Sequence, residues 1–225
     1  SNAVTKLICS TVNPVEDVIL NRGPVDVLDD SSSRFALGSK IGIDATVKLA
    51  GETEYVERQG AVFNQNHPAL AGHTVNTTLT DEKLPVLVVG IDKSKVNLRA
   101  LHQQFFDEGA LDGVNWVVYV DPEAANIRMQ DIAWLVANNI DPLRDCFYAK
   151  SGNNTDVPPM AIDGTRKSLG TDGFRRQWPN VLVMDDETIK QVDDMWDNLG
   201  LGNFIPSPSL NYKGLVNIDG AVANG

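Results

Sequence analysis

Two stretches of this chain repeat one motif, and any fold must accommodate both. Gly38-Ser39-Lys40-Ile41-Gly42-Ile43-Asp44-Ala45-Thr46-Val47-Lys48 reads as a glycine-opened loop, a short buried strand and an Asp-Ala-Thr exit with a cation on each flank. Met160-Ala161-Ile162-Asp163-Gly164-Thr165-Arg166-Lys167 is a second version. The preceding segments match as well, residues 12–20 aligning with residues 140–148. Pro14 and Asp44 stand 30 residues apart, whereas Pro142 and Asp163 stand 21 apart, so the second copy is shorter by 9. A repeat of this kind implies one fold used twice. Both strand pairs are then expected in one register, with Asp44 falling on Asp163. The trimmed 9 residues are expected in the loop through Asp29 to Phe35, because loops absorb deletions while strands cannot slip a residue without reversing their faces.

Periodicity gives the rest of the organisation. Residues 4–9 read as the end of a helix and 17–21 as a strand broken by Arg22-Gly23-Pro24. Residues 29–33 read as a polar loop, 40–46 as a strand, and 51–80 as a long irregular surface connection. Residues 84–91 form a nearly uninterrupted apolar run, as expected of a strand covered on both faces. Ser94 is placed to cap a helix to about Glu108, with Leu98, Leu101 and Phe105 on one face. Residues 116–120 make a second buried strand, and this strand–helix–strand order implies a parallel pair. A helix capped by Asn126 follows to about Asn139, its inward stripe being Met129, Ile132, Ala133 and Val136. Short strands are expected at 146–149, 160–163 and 181–184. Asp185-Asp186-Glu187 opens a last helix, where negative charge complements the dipole, and Gly200 closes it after a stripe of Ile189, Val192, Trp196 and Leu199. Residues 202–225 read as an extended tail. The fold expected is three-layer α/β/α, a mixed, mostly parallel sheet with helices on both faces.

Charge narrows the partners. With 19 basic and 30 acidic residues the net charge is −11, which disfavours nucleic acid and anionic membrane surfaces. No apolar run approaches the roughly 20 residues of a membrane helix, and a cytoplasmic protein is expected. Cys9 and Cys146 form no CxxC pair and read as buried thiols of a reducing compartment.

Few residues carry chemistry. Lys40, beside Gly38 and Gly42, is either an exposed loop lysine or a cation facing a phosphate that glycines allow close to backbone N–H groups. Asp44 and Asp163, each followed two residues on by threonine, are expected to cap a backbone turn. His67, His73 and His102 have no partners at metal-ligand spacing, and His102 reads as a surface residue of its helix. Neither GxGxxG nor GxxxxGK[ST] occurs, and no nucleophile elbow is present.

The segment from Gly38 to Lys48, with Asn21-Arg22-Gly23-Pro24-Val25-Asp26-Val27-Leu28-Asp29 before it, resembles the C-terminal domain of UbiD-type decarboxylases, the 3-octaprenyl-4-hydroxybenzoate carboxy-lyase family. The likeness continues through Trp116-Val117-Val118-Tyr119-Val120-Asp121, Asp131-Ile132-Ala133-Trp134, Asp141-Pro142-Leu143-Arg144-Asp145 and Ile162 to Lys167. It implies a parent enzyme that uses prenylated FMN and a divalent metal for non-oxidative decarboxylation of an aromatic or α,β-unsaturated acid, plausible in quinone biosynthesis. It also implies that Gly38, Ser39 and Lys40 lie at the phosphate end of the flavin. The Glu-Arg-Glu constellation and the metal and cofactor contacts of such enzymes lie upstream, and no segment here matches them. The chain is therefore expected to be a fragment: residues 1–3 a tag remnant, 4–80 part of a first C-terminal-type unit, and 81–225 a whole second unit. Such a fragment is expected to be inactive and to hold no cofactor. Its expected partners are the upstream flavin-binding domain of the same longer chain and further copies in a homo-oligomer. The alternative is a non-catalytic assembly module on the same scaffold. The second copy has Pro158-Pro159 in place of Ser39-Lys40, Ala161 for Gly42 and Gly164 for Ala45, so it is expected to have lost the ligand-facing role.

Overall fold

The structure, a computed structural model, describes residues 2–50, 62–152, 157–218, 220 and 221. In chain order the elements are α1 (Asn2–Thr11), β1 (Val18–Pro24), β2 (Leu37–Ile43), β3 (Thr74–Asn76), α2 (Thr78–Asp81), β4 (Val86–Gly90), α3 (Leu98–Asp107) and β5 (Trp116–Val120). They continue with α4 (Met129–Asn139), α5 (Pro142–Asp145), β6 (Cys146–Tyr148), β7 (Met160–Asp163), α6 (Leu169–Asp172) and α7 (Asp186–Met195). The chain divides into two compact units, Ser1–Arg176 and Gln177–Gly225. The repeat boundary near residue 80 lies inside the first of them.

The first unit is built on a mixed sheet of order β3-β4-β5-β7-β6. The inner pairs β4–β5 and β5–β7 are parallel, and the outer strands β3 and β6 run antiparallel. Side-chain alternation divides the strands between two cores. Leu87, Val89, Val117, Tyr119, Phe147 and Ala161 join Leu98 and Phe105 of α3 in one. Trp116, Met160 and Cys146 join Cys9 of α1 and Val12 just beyond it in the other, with Val18, Leu20 and Ile41 of the β1–β2 hairpin packed alongside. Helix α4 closes in at the end of β7, where a Cβ on Gly164 would come within 2.7 Å of Val136 Cγ2. Helices on both faces make the three layers, and burial of β4 and β5 from both sides accounts for their unbroken apolar sequence.

The β1–β2 hairpin is a separate two-stranded antiparallel sheet. Its register pairs Val18 with Ile43, Ile19 with Gly42 and Leu20 with Ile41. In the second copy Cys146 pairs with Ile162, Phe147 with Ala161 and Tyr148 with Met160. These are the residues that the sequence alignment equates, in the same direction and register. The length difference falls elsewhere than expected. Pairing continues in the first copy through Asn21–Lys40, Arg22–Ser39, Gly23–Gly38 and Pro24–Leu37. Those four additional pairs are eight residues of strand, not loop. Pro158-Pro159 stands where the second copy would need Ser39-Lys40, and proline cannot donate to a ladder.

Several boundaries differ from the periodicity. Arg22-Gly23-Pro24 does not break β1, which runs on through them to Pro24. Asp44 N–H donates to Asp17 O and Val25 N–H to Ala36 O, so by alternation the missing N–H of Pro24 faces away from β2. Part of the expected irregular connection, residues 51–61, lies outside the described residues, and the rest contains β3, whose Val75 pairs with Val89. Three residues of mixed polarity at a sheet edge give almost no periodic signal. Ser94 does not cap α3, because its hydroxyl and N–H are both bonded to Asp92 Oδ1, at 2.6 and 3.0 Å. Asn97 caps instead, its Oδ1 accepting Ala100 N–H at 3.0 Å. Helix α4 starts at Met129 after a 3-10 turn at Pro122–Ala124, and Asp131, not Ala133, is buried beside Ile132. Arg128 makes that possible by pairing with Asp131 at 2.7 Å.

In the second unit, residues 181–184 form no strand, and the single bridge there among the described residues joins Pro179 to Ala221. The tail is not extended but makes 3-10 turns at Pro208–Asn211 and Lys213–Leu215. Asp185 caps α7 as the acidic run implies, accepting Thr188 N–H at 2.7 Å, and Gly200 takes φ 64° beyond it. Only Ile189 of the expected stripe is buried.

His102 is wholly buried on α3, not a surface residue. Its Nδ1 lies 2.8 Å from Tyr119 Oη and its Nε2 3.2 Å from Pro159 O, so the ring ties helix, central strand and the approach to β7 together. Burial pushes its pKa from 6.5 down to about 4, although the Pro159 carbonyl opposes the shift. The folded state thus keeps the imidazole neutral while the unfolded chain protonates below 6.5. Stability from this group is complete above pH 6.5 and is lost as pH falls to about 4, by roughly 3 kcal/mol. Urea unfolding across that range should show the loss, and His102→Gln should remove that component while leaving carboxylate losses at lower pH.

Candidate functional site

Gly38, Ser39 and Lys40 lie within β2, not in a loop, because they continue the ladder with β1. Alternation therefore separates them. Ser39 shares the inward face with Ile41. Its hydroxyl donates to the Asp141 carboxylate and accepts Leu143 N–H at 2.8 Å, at the start of α5. Gly38 is buried, and a Cβ there would sit 3.1 Å from both Ser32 Cβ and Val25 Cγ1. Lys40 points the other way and is exposed, with no ion pair among the described residues. Its face holds Ile19, Asn21 and Gly23 on β1 and Gly38 and Gly42 on β2. Gly23 and Gly42, two of those five positions, have open space where a side chain would stand and leave the backbone around the ammonium approachable. Of the three residues expected at a phosphate, Lys40 alone is free to meet one.

The Asp-x-Thr exits are turn caps in both copies. Asp44 Oδ1 accepts Thr46 N–H at 2.9 Å and Thr46 Oγ1–H at 2.6 Å. Asp163 Oδ1 accepts Thr165 N–H at 3.1 Å and the Thr165 hydroxyl. The upstream aspartates match too: Asp17 Oδ2 accepts Asn13 N–H at 2.7 Å, and Asp145 Oδ2 accepts Asp141 N–H at 2.8 Å. A lysine closes each set. Lys48 Nζ lies 2.7 Å from Asp17 and 3.4 Å from Asp44, while Lys167 Nζ lies 3.6 Å from Asp145 and 3.4 Å from Asp163.

Burial separates the copies. Lys167 has no exposed side-chain surface, and its Nζ also donates to Asp163 O at 2.8 Å and Thr165 O at 2.7 Å. Arg144 pairs with both oxygens of Asp145, at 2.8 and 2.7 Å, and Lys93 bridges Asp163 at 3.1 Å to Asp172 at 2.5 Å. Three cations thus face three carboxylates. Burial raises the Asp163 carboxyl, but Lys167 and Lys93 more than offset it and hold its pKa below the ordinary range. Burial lowers Lys167 despite Asp163 and Asp145, and burial raises Asp145 despite Arg144 and Lys167.

This cluster sits at the carboxyl ends of β4, β5 and β7, where α/β sheets commonly bind ligands. Asp121, just beyond β5, completes the row, its Oδ2 accepting Arg166 N–H at 2.9 Å. Lys93, Arg144 and Lys167 match Asp145, Asp163 and Asp172, and Lys167 is sealed, so the cluster acts as a structural lock. Lys93 was not legible as a member. Its one sequence signal is its place directly after an apolar strand. Among the described residues no group of His, Cys, Asp or Glu is arranged to hold a metal, and no helix is long and apolar enough to cross a membrane. Removing one partner of a buried pair leaves the others uncompensated. Lys167→Ala should therefore cost about 3–5 kcal/mol in urea unfolding, and Lys48→Ala, at the more exposed set, distinctly less.

No family model matches the chain. It is 23% identical over 208 residues to an uncharacterized protein of Helicobacter pylori, covering 85% of this chain and 30% of that one. An uncharacterized protein of Archaeoglobus fulgidus is 31% identical over 101 residues, 40% of this chain and 21% of its own length. One of Aquifex aeolicus is 36% identical over 87 residues, 33% of this chain and 18% of its own. The chain spans less than a third of each of these relatives.

Proposed function

We propose that the chain is the C-terminal part of a prenylated-FMN-dependent carboxy-lyase of UbiD type, with Lys40 at the flavin phosphate. The parent is read as a cytoplasmic, homo-oligomeric enzyme that decarboxylates an aromatic or α,β-unsaturated acid, in quinone biosynthesis. One observation carries the assignment of Lys40: it is a cation without an ion pair among the described residues, exposed on a sheet face where Gly23 and Gly42 leave the backbone open. A phosphate fits there, because an ammonium and unobstructed main chain can approach it together. The likeness of residues 38–48 and of the later segments to the UbiD C-terminal domain supports the choice of cofactor. Ser39 and Gly38 do not fit a direct contact, since one hydroxyl is committed to Asp141 and the other residue is buried.

Prenylated FMN, with its divalent metal, supplies the chemistry of CO2 loss when bound. This chain contributes a charge that positions the phosphate, while the acid–base and metal-binding groups belong to the upstream domain. Residues 1–225 alone are read as inactive, because catalytic groups must be held together within a fraction of an ångström. In the longer protein, Lys40→Ala should weaken cofactor retention by about 1–3 kcal/mol, the value of a charge-assisted hydrogen bond. Ser39→Ala should leave retention unchanged. Flavin absorbance after gel filtration measures both. CO2 release from 4-hydroxybenzoate-type and cinnamate-type acids tests the activity, and none from either class with cofactor bound would favour the assembly module instead.

A further inference from the structure

We infer that the outer edge of β2 is a docking site for an apolar β-strand from outside this chain, running parallel to β2 and ending in an acidic residue. The inference is independent of the flavin reading. It rests on the register identity of the two hairpins. In the second copy the edge of β7 turned away from β6 is taken by β5, in parallel, with Trp116 through Tyr119 opposite Met160 through Asp163. The matching edge of β2, from Ile41 to Asp44, has no strand beside it among the described residues.

Hydrogen-bond parity specifies the edge. Asp44 N–H donates to Asp17 O, so the N–H groups of Lys40 and Gly42 also face β1 and those of Ile41 and Ile43 face outward. Their equivalents are in use in the second copy. Met160 N–H, matching Ile41, donates to Asn115 O at 2.9 Å, and Gly164 N–H, matching Ala45, donates to Tyr119 O at 2.8 Å. Two side chains along this edge are exposed as well, Ile43 at 45% and Val47 at 79%.

The second copy also states what should occupy the edge. Its β5 is Trp-Val-Val-Tyr-Val, apolar on both faces, and the Asp121 that follows accepts the N–H of Arg166. Val47 matches Arg166, so the incoming strand should carry a carboxylate just past its end to cap Val47 N–H near Lys48. One detail differs. Gly164 gives room to Val136 of α4, whereas in the first copy Ala45 packs in one cluster with Ile8 of α1, the helix that the alignment equates with α4. A second copy of the chain suits the edge poorly, because a two-fold axis would pair β2 with itself antiparallel. The relatives, more than three times the length of the matched span, have ample sequence to supply a parallel strand.

Amide exchange and titration test this on residues 1–225. In the chain alone, Ile41, Ile43 and Ala45 should exchange at least roughly tenfold faster than Met160 and Gly164. A peptide Lys-Lys-Thr-Val-Val-Tyr-Val-Asp should slow exchange at those three amides and at Val47. Asn in place of its terminal Asp should weaken binding roughly fivefold, and N-methylation of its central backbone should abolish binding with the protein unaltered. Ile43→Pro, which removes an outward N–H and none that bonds to β1, should abolish it too. The proposal is overturned if Ile41 and Ile43 are already protected in the monomer, or become protected only as the chain self-associates. Binding that ignores N-methylation, or no saturable binding by about millimolar peptide, overturns it equally.

Discussion

The ammonium of Lys167 holds the first unit together at the carboxyl ends of its parallel strands. A charge with no exposed surface is tolerable only when its partners are close and otherwise satisfied. Asp145 and Asp163 supply the counter-charge, and two backbone carbonyls take further protons of the ammonium. Each carboxylate then brings in a second cation, Arg144 from α5 or Lys93 from the turn after β4. The segments before β6, after β7 and after β4 are thereby fixed to one another by charge and hydrogen bonds. Such a network discriminates strongly among arrangements, because any displaced loop strands a buried charge.

The same wiring appears round Lys48 with less burial, and the comparison separates what the motif does from where it lies. In both copies Asp-x-Thr followed by lysine makes the turn and returns the ammonium to the two aspartates. Whether that ammonium is a core group depends on what else covers it. In the second copy Lys93, Arg144 and Asp172 enclose it; round Asp44, half of whose side chain is exposed, no comparable shell is present among the described residues. A motif therefore specifies local geometry, and its function depends on the surroundings.

That distinction accounts for what the sequence revealed. The repeat, its register, the strands at Val86, Trp116 and Met160, and the Asp185 cap were legible, because they depend on spacing and on residues adjacent in the chain. His102 was not, since nothing local announces that Tyr119 and Pro159 will surround it. Ser94 and Asn97 both offer a capping oxygen, and only the prior engagement of Ser94 by Asp92 decides between them. Residues 181–184 are apolar enough for a strand but meet no ladder, and strand propensity without a partner specifies nothing. At the candidate site, spacing brought out Lys40, while the opposite orientation of Ser39 follows from its being strand and not loop.

The contacts between the two repeats have a consequence for how each can change. Ser39 of the first reaches the Asp141-Pro142 turn of the second, and the Tyr148 hydroxyl of the second donates to Pro14 O in the corresponding turn of the first. Two identical subunits meeting this way would need every contact residue to serve in both halves at once. Here the halves are tethered, so their encounter is intramolecular and its effective concentration is set by the connecting chain. Leu20 can then stand where its counterpart is Tyr148, and Pro158 where its counterpart is Ser39, without either half losing its partner. Each repeat is free to specialise, one keeping its edge and glycine face open while the other becomes core.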